Sequence, residues 1–137
     1  MAAAGELRSG RPMTGSTWRD VEQLALGLPD AVLGQAHEGS PAFYAGRHQF
    51  ARLRWDERDR QIAQLWSGDL ELAEALATRR TVFPVVHTFS VRVSLWAFLD
   101  LLDTRELAEL LLDSYRIRGG KHRAGRVDEA AYLALVD

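Results

Sequence analysis

Residues 41–66 read PAFYAGRHQFARLRWDERDRQIAQLW, and the punctuation of this stretch decides the fold. Two turn signals divide it into three β-leaning runs. Gly46-Arg47 separates Ala42–Ala45 from His48–Trp55, and the charged cluster Asp56-Glu57-Arg58-Asp59 leads into Arg60–Trp66. A tight turn reverses the chain so that the next run pairs back on the last, and short runs at this spacing predict an antiparallel meander. An earlier run near 32–38, set off by Gly39-Ser40-Pro41, joins the meander on its N-terminal side.

Outward from this block the period lengthens to that of a helix. Upstream, the Thr17 hydroxyl and Asp20 resemble a capping box, and Val21, Leu24, Ala25 and Leu28 recur on one face before Leu28-Pro29-Asp30 closes the segment. Downstream, Asp69 caps a second helix carrying Leu70, Leu72, Ala73 and Leu76 and ending near Arg79. Thr81–His87 and Phe89–Phe98 predict two more strands, the first placed at an edge or a bend because Pro84 has no amide proton to give a neighbour. Thr104 caps a third helix, with Leu107, Leu110, Leu111, Ser114 and Ile117 on one face and Gly119-Gly120 as its stop. Asp128 is placed to cap a short helix carrying Ala131, Tyr132 and Leu135. Clustered strands with helices outside the cluster predict an α+β fold, not alternating βαβ units. The expected organisation is a flexible N-terminal extension over 1–15, one domain over 16–123 and a C-terminal tail over 124–137.

At 137 residues the chain has room for one domain, and 47% hydrophobic with 26% charged residues is the balance of a globular protein. Without cysteine there is no thiol nucleophile, Cys-ligated zinc or redox pair. No run is long and apolar enough for a membrane span, and the first residues lack the apolar stretch of a secretory signal, so the expected location is cytoplasmic with no membrane partner.

Catalytic templates fail. His37, His48, His87 and His122 are too far apart for a helical metal pair, and no GxSxG, P-loop or GxGxxG occurs. Asp56/Asp59 and Asp100/Asp103 stand where carboxylates form turns and caps. The expectation is a protein that is not an enzyme, with no metal and no cofactor.

Seventeen basic residues against nineteen acidic ones give a formal charge of −2, so any polyanion-binding surface must be local. Two groups qualify. Strict alternation on the strand 48–55 puts Ala51, Leu53 and Trp55 on one face and His48, Phe50, Arg52 and Arg54 on the other, a basic stripe with an aromatic in it. Its ordinary alternative is a solvated face whose arginines pair with Asp56, Glu57 or Asp59. The second group, Arg116, Arg118, Lys121, Arg123 and Arg126, contains no acid.

The order of these features resembles the MmcQ/YjbR family of small bacterial proteins over about residues 17–123. The resemblance is carried by Leu26-Gly-Leu-Pro-Asp30, Gly39-Ser-Pro-Ala-Phe43, Gly46-Arg-His-Gln-Phe-Ala-Arg-Leu53, Val82-Phe-Pro-Val-Val-His87, Leu102-Asp-Thr-Arg-Glu-Leu107 and Leu110-Leu-Leu-Asp-Ser-Tyr-Arg116, with Lys121 and Arg123 at its end. Thr88-Phe-Ser90 departs from the Met-Asn-Lys-like run that many members carry there. The resemblance implies a curved antiparallel sheet flanked by helices, with hairpins likened to DNA-binding wings. It further implies weak, salt-sensitive, non-specific contacts to the DNA backbone through Arg47, His48, Arg52, Arg54, Arg116, Lys121 and Arg123. The alternative is a protein- or small-ligand-binding module that uses the aromatic sheet face around Phe50 or a pocket.

Overall fold

The computed structural model describes residues 15–67, 82–87 and 92–137. Within them lie the helix α1 (Trp18–Ala25) and the strands β1 (Ala31–Gln35), β2 (Pro41–Ala45), β3 (His48–Trp55), β4 (Gln61–Ser67), β5 (Val82–His87) and β6 (Arg92–Phe98). The helices α2 (Thr104–Gly119), α3 (Lys121–Ala124) and α4 (Glu129–Leu133) follow. All strand pairs are antiparallel and form one sheet in the order β1-β2-β3-β4-β6-β5. The fold is α+β. The helix expected over 69–79, the extension before residue 15 and the segment 88–91 lie outside the described residues.

β1 to β4 form the meander that the turn residues demanded. β6, not β5, pairs with β4, which leaves β5 and its Pro84 at the sheet edge. Helix α2 packs across β3 and β4, and α1 packs on α2. The core between them holds Val21, Phe43, Phe50, Leu65, Leu95, Leu107, Leu111 and Tyr115, all essentially without solvent contact. Phe43, Phe50 and Tyr115 form a chain of aromatic contacts with centroids 6.4 and 5.3 Å apart, the second edge-on.

The caps follow local chemistry. The Asp20 carboxylate accepts the Thr17 backbone N–H at 2.8 Å, the reciprocal half of a capping box. For α2 the cap is Asp103, one residue before the expected Thr104; its Oδ1 accepts from Glu106 N–H at 2.8 Å. Gly120, at φ 87°, ends that helix in a conformation open to glycine. Asp128 caps α4 as expected, accepting from Ala131 N–H at 3.1 Å. The segment beyond 123 packs onto the rest: Tyr132 is buried in the common core, and Arg105–Asp137 and Arg116–Glu129 tie its surface down.

Strand β3 departs from strict alternation. Phe43 opposes Ala51 while Tyr44 opposes Gln49, so Phe50 is an extra residue without a partner on β2. Such a β-bulge turns two successive side chains to one side, and Phe50 and Ala51 are both buried in the core. The polar stripe inferred from alternation is therefore corrected. Phe50 belongs to the helix-covered face, Arg52 and Arg54 lie on the opposite face, and His48 is divided from them by the bulge.

The bulge also parts β3 from β4. Their pairing runs from Trp55 opposite Gln61 to Arg52 opposite Gln64. Continued in that register, it would bond the Phe50 carbonyl to the Trp66 amide. Ser114 of α2 takes that place instead: its hydroxyl accepts from Trp66 N–H at 2.9 Å and donates to the Phe50 carbonyl at 2.5 Å. One turn on, the Arg118 Nε donates to the Gln49 carbonyl at 2.9 Å, and the guanidinium lies 4.8 Å from the Trp66 ring centre. Helix α2 thus supplies the bonds that two splayed strands no longer give each other.

Candidate functional site

The seven basic residues singled out by sequence divide into two groups on opposite faces of the sheet, with one outlier. The first group gathers where the β2–β3 turn meets the end of α2. The turn is made by Gly46, at φ 66°, and Arg47. Arg123 of α3 lies against Gly46 so closely that a Cβ there would come within 2.8 Å of its Nη2. Two bonds hold Arg123 in place, from Nη1 to the Gly119 carbonyl at 3.1 Å and from Nε to Asp30 Oδ2 at 3.2 Å. The same Asp30 oxygen accepts from Arg126 Nη1 at 2.9 Å. These partners, Arg126 first, hold the Asp30 carboxyl below its ordinary value of 3.8.

The contact draws the second basic segment up to the hairpin. Between them opens a cleft of about 440 Å³ lined by His48, Ile117, Arg118, Gly119, Gly120 and Arg123. Arg47, His48 and Lys121 are exposed around it. Neither Arg47 nor Lys121 makes an ion pair among the described residues. Among the described residues one carboxylate, Asp30, answers two guanidiniums here, Arg123 and Arg126. Arg118 was not among the chosen site residues, yet it lines the cleft. Its signal was helical spacing, one turn beyond the buried Ser114.

Arg116 is the outlier, its Nη2 paired with Glu129 Oε1 at 2.7 Å. That pairing joins α2 to α4 and takes the residue out of the basic cluster.

The second group is Arg52 with Arg54. Arg52 donates from Nε to Ser40 Oγ and from Nη2 to the His37 carbonyl, both at 3.0 Å. Arg54 donates from Nε to Gln64 Oε1 at 2.6 Å and lies over the Trp96 ring at 4.6 Å. Burial, and then the neighbouring Arg52 charge, press the Arg54 guanidinium down from its usual value, with Glu38 opposing. Neither pairs with Asp56, Glu57 or Asp59, the ordinary alternative for this face. Asp56 instead accepts from the backbone N–H groups of Arg58 and Arg60 at 2.9 Å and shapes the turn, while Arg60 forms two bonds to Asp100.

The histidines stay apart. His37 lies in a 3-10 turn, His48 at the cleft and His122 in α3, while His87 stands opposite Arg92 in the β5–β6 register. Among the described residues no three histidine or carboxylate side chains come together as a metal site would require. No helix among them is long and apolar enough to cross a membrane. No family model, curated protein or solved structure matches the chain.

Proposed function

We propose that this protein is a DNA-binding protein of the MmcQ/YjbR type, without enzymatic activity, that grips the phosphate backbone with the end of the molecule where the β2–β3 turn meets α3. The observation that carries the proposal is the seating of Arg123 against Gly46. It brings two basic segments, distant in sequence, to one cleft. Arg47, His48 and Lys121 stand at the rim with their donors turned to solvent, and Arg118 and Arg123 line the inside. Contacts of this kind position a protein on a duplex and carry no base code. Binding is therefore weak, indifferent to sequence and steeply dependent on salt.

The test is fluorescence anisotropy of a labelled random-sequence duplex, titrated at about 50 and about 200 mM salt. Binding at the lower concentration that falls away at the higher one is the expected result. Arg47→Ala and Lys121→Ala should each lower the slope of log affinity against log salt by about one unit. No binding at the lower concentration, or a slope unchanged in the double variant, overturns the proposal.

A further inference from the structure

The sheet has two edges, and they are finished differently. β5 carries Pro84, which has no N–H to offer a further strand. Over Ala31–Gln35, β1 carries no proline, no charge and no bulge, the devices that keep an open edge from pairing. Its side chains do not deter a neighbour either, since Val32 is 61% exposed and Leu33 50%.

The ladder shows which backbone groups of β1 face outward. Gly46 and Arg47 form a two-residue turn, so Ala45 and His48, which flank it, bond to each other. Alternation along β2 then turns Ala42 and Tyr44 toward β1, where they bond to Gly34 and Val32. The Ala36 N–H, which donates to the Ser40 carbonyl at 2.8 Å, continues the same series. Ala31, Leu33 and Gln35 therefore point their amide and carbonyl groups away from β2. Two of these groups are already used: the Ala31 N–H donates to the Leu28 carbonyl at 3.2 Å, and the Gln35 carbonyl accepts from the Tyr44 hydroxyl at 3.0 Å. The others have no partner among the described residues. They are the Ala31 carbonyl, both groups of Leu33 and the Gln35 N–H.

This set is self-complementary. Two copies of β1, laid antiparallel about a twofold axis at Leu33, place Leu33 opposite the partner's Leu33 and Gln35 opposite the partner's Ala31. Each Leu33 exchanges both its bonds with its twin, and each Gln35 N–H meets an Ala31 carbonyl. Every open group is matched, and the two left over are those already satisfied within the chain. The side chains agree. Leu33 lies opposite Phe43 on β2 and so shares its face, where it meets the partner's Leu33 across the axis. Val32, on the other face, lies opposite the partner's Gly34. In each copy the Tyr44 ring crosses Gly34, 3.1 Å from where a Cβ would stand, so Val32 meets an aromatic surface. A strand of unrelated sequence would meet the same amides without this match of side chains.

We infer that β1 is an interface at which two copies of this chain pair edge to edge, joining their sheets into one. The interface does not involve the cleft beside the β2–β3 turn, so the inference stands apart from DNA binding. Five residues on each side make a small interface, of the weak and reversible class.

The experiment is sedimentation velocity of the full chain from about 1 μM to about 1 mM. A reversible shift from monomer to dimer across this range is expected. Leu33→Pro removes the central outward N–H without touching the bonds to β2, and should hold the chain at monomer throughout. Leu33→Lys sets two like charges against each other at the axis, and should do the same if the proline variant does not fold. Single cysteines read the register, since the chain has none of its own. Residues opposite each other in a bonded pair have Cα atoms about 5.5 Å apart, within disulfide reach, so Leu33→Cys should cross-link to its twin on mild oxidation. Val32→Cys is set diagonally from its twin, beyond that reach, and should not. Three results overturn the proposal: a monomer at every concentration, a dimer indifferent to both Leu33→Pro and Leu33→Lys, or Val32→Cys cross-linking as fast as Leu33→Cys.

Discussion

The Arg123 guanidinium occupies the space that a side chain on Gly46 would need, with Nη2 2.8 Å from the position of a Cβ there. Two costs follow for Gly46→Ala: a left-handed backbone, at about 1–2 kcal/mol, and displacement of the arginine. The double variant with Arg123→Ala removes the second and keeps the first. Urea denaturation should show the Gly46→Ala cost partly relieved on the Arg123→Ala background. Salt-dependent DNA binding should fall with either change, because α3 loses its seat against the turn.

Asp30 joins Arg123 and Arg126 in one ion cluster, and these partners lower its pKa relative to the unfolded chain. A depressed carboxyl stabilises the fold above its unfolded pKa and loses that contribution as pH falls through the folded value. The docking of α3 should therefore loosen as pH drops below the ordinary carboxylate range near 3.8. Asp30→Asn, which also tolerates the φ of 62° at that position, should remove this part of the acid dependence. Amide exchange over 119–126, compared at neutral and acid pH in both forms, checks it.

Phe50 separates a bulged β3 from a regular one. In a regular strand it would share a face with Arg52 and Arg54, and Phe50→Ala would change stability by no more than about 0.5 kcal/mol, as at most surface positions. With the bulge it lies between Phe43 and Tyr115, and the same substitution should cost about 3–5 kcal/mol. Thermal and urea unfolding distinguish the two outcomes.

Ser114→Ala should be costly for a residue that loses a single oxygen. It strands the Trp66 amide and the Phe50 carbonyl, both buried, at about 1–3 kcal/mol each. Hydrogen exchange at the Trp66 amide should rise beyond what the global loss of stability accounts for.

Much of this was legible in the chain. Gly46-Arg47 and the 56–59 cluster mark real reversals, Pro84 marks an edge, and Asp128 and Gly119-Gly120 mark helix ends, because each acts through its own backbone. Asp103 and Thr104 are both good caps in adjacent positions, and local chemistry alone does not choose between them. The β4–β6 pairing is a contact between distant segments, and no local pattern encodes it. The candidate site was harder. The bulge leaves one faint trace, the consecutive apolar pair Phe50-Ala51 in a strand that otherwise alternates, and strict alternation reads through it. Arg116 and Arg118 look equivalent in sequence. Only the arrival of Glu129 beside one and of Gln49 and Trp66 beside the other gives them different tasks.

The bulge at Phe50 acts on β3 as a shift of reading frame acts on a message. Before it, even-numbered positions face the helices; after it, odd-numbered ones do. Deleting Phe50 would give a regular strand with both flanks on their present faces, at the loss of a core aromatic; straightening the strand at its present length would turn one flank inside out. Either His48 would change faces, or Arg52 and Arg54 would be driven under α2. Related chains with a strand of this length should therefore keep two adjacent apolar residues where the frame turns over, and chains one residue shorter here should lose the pair and alternate throughout.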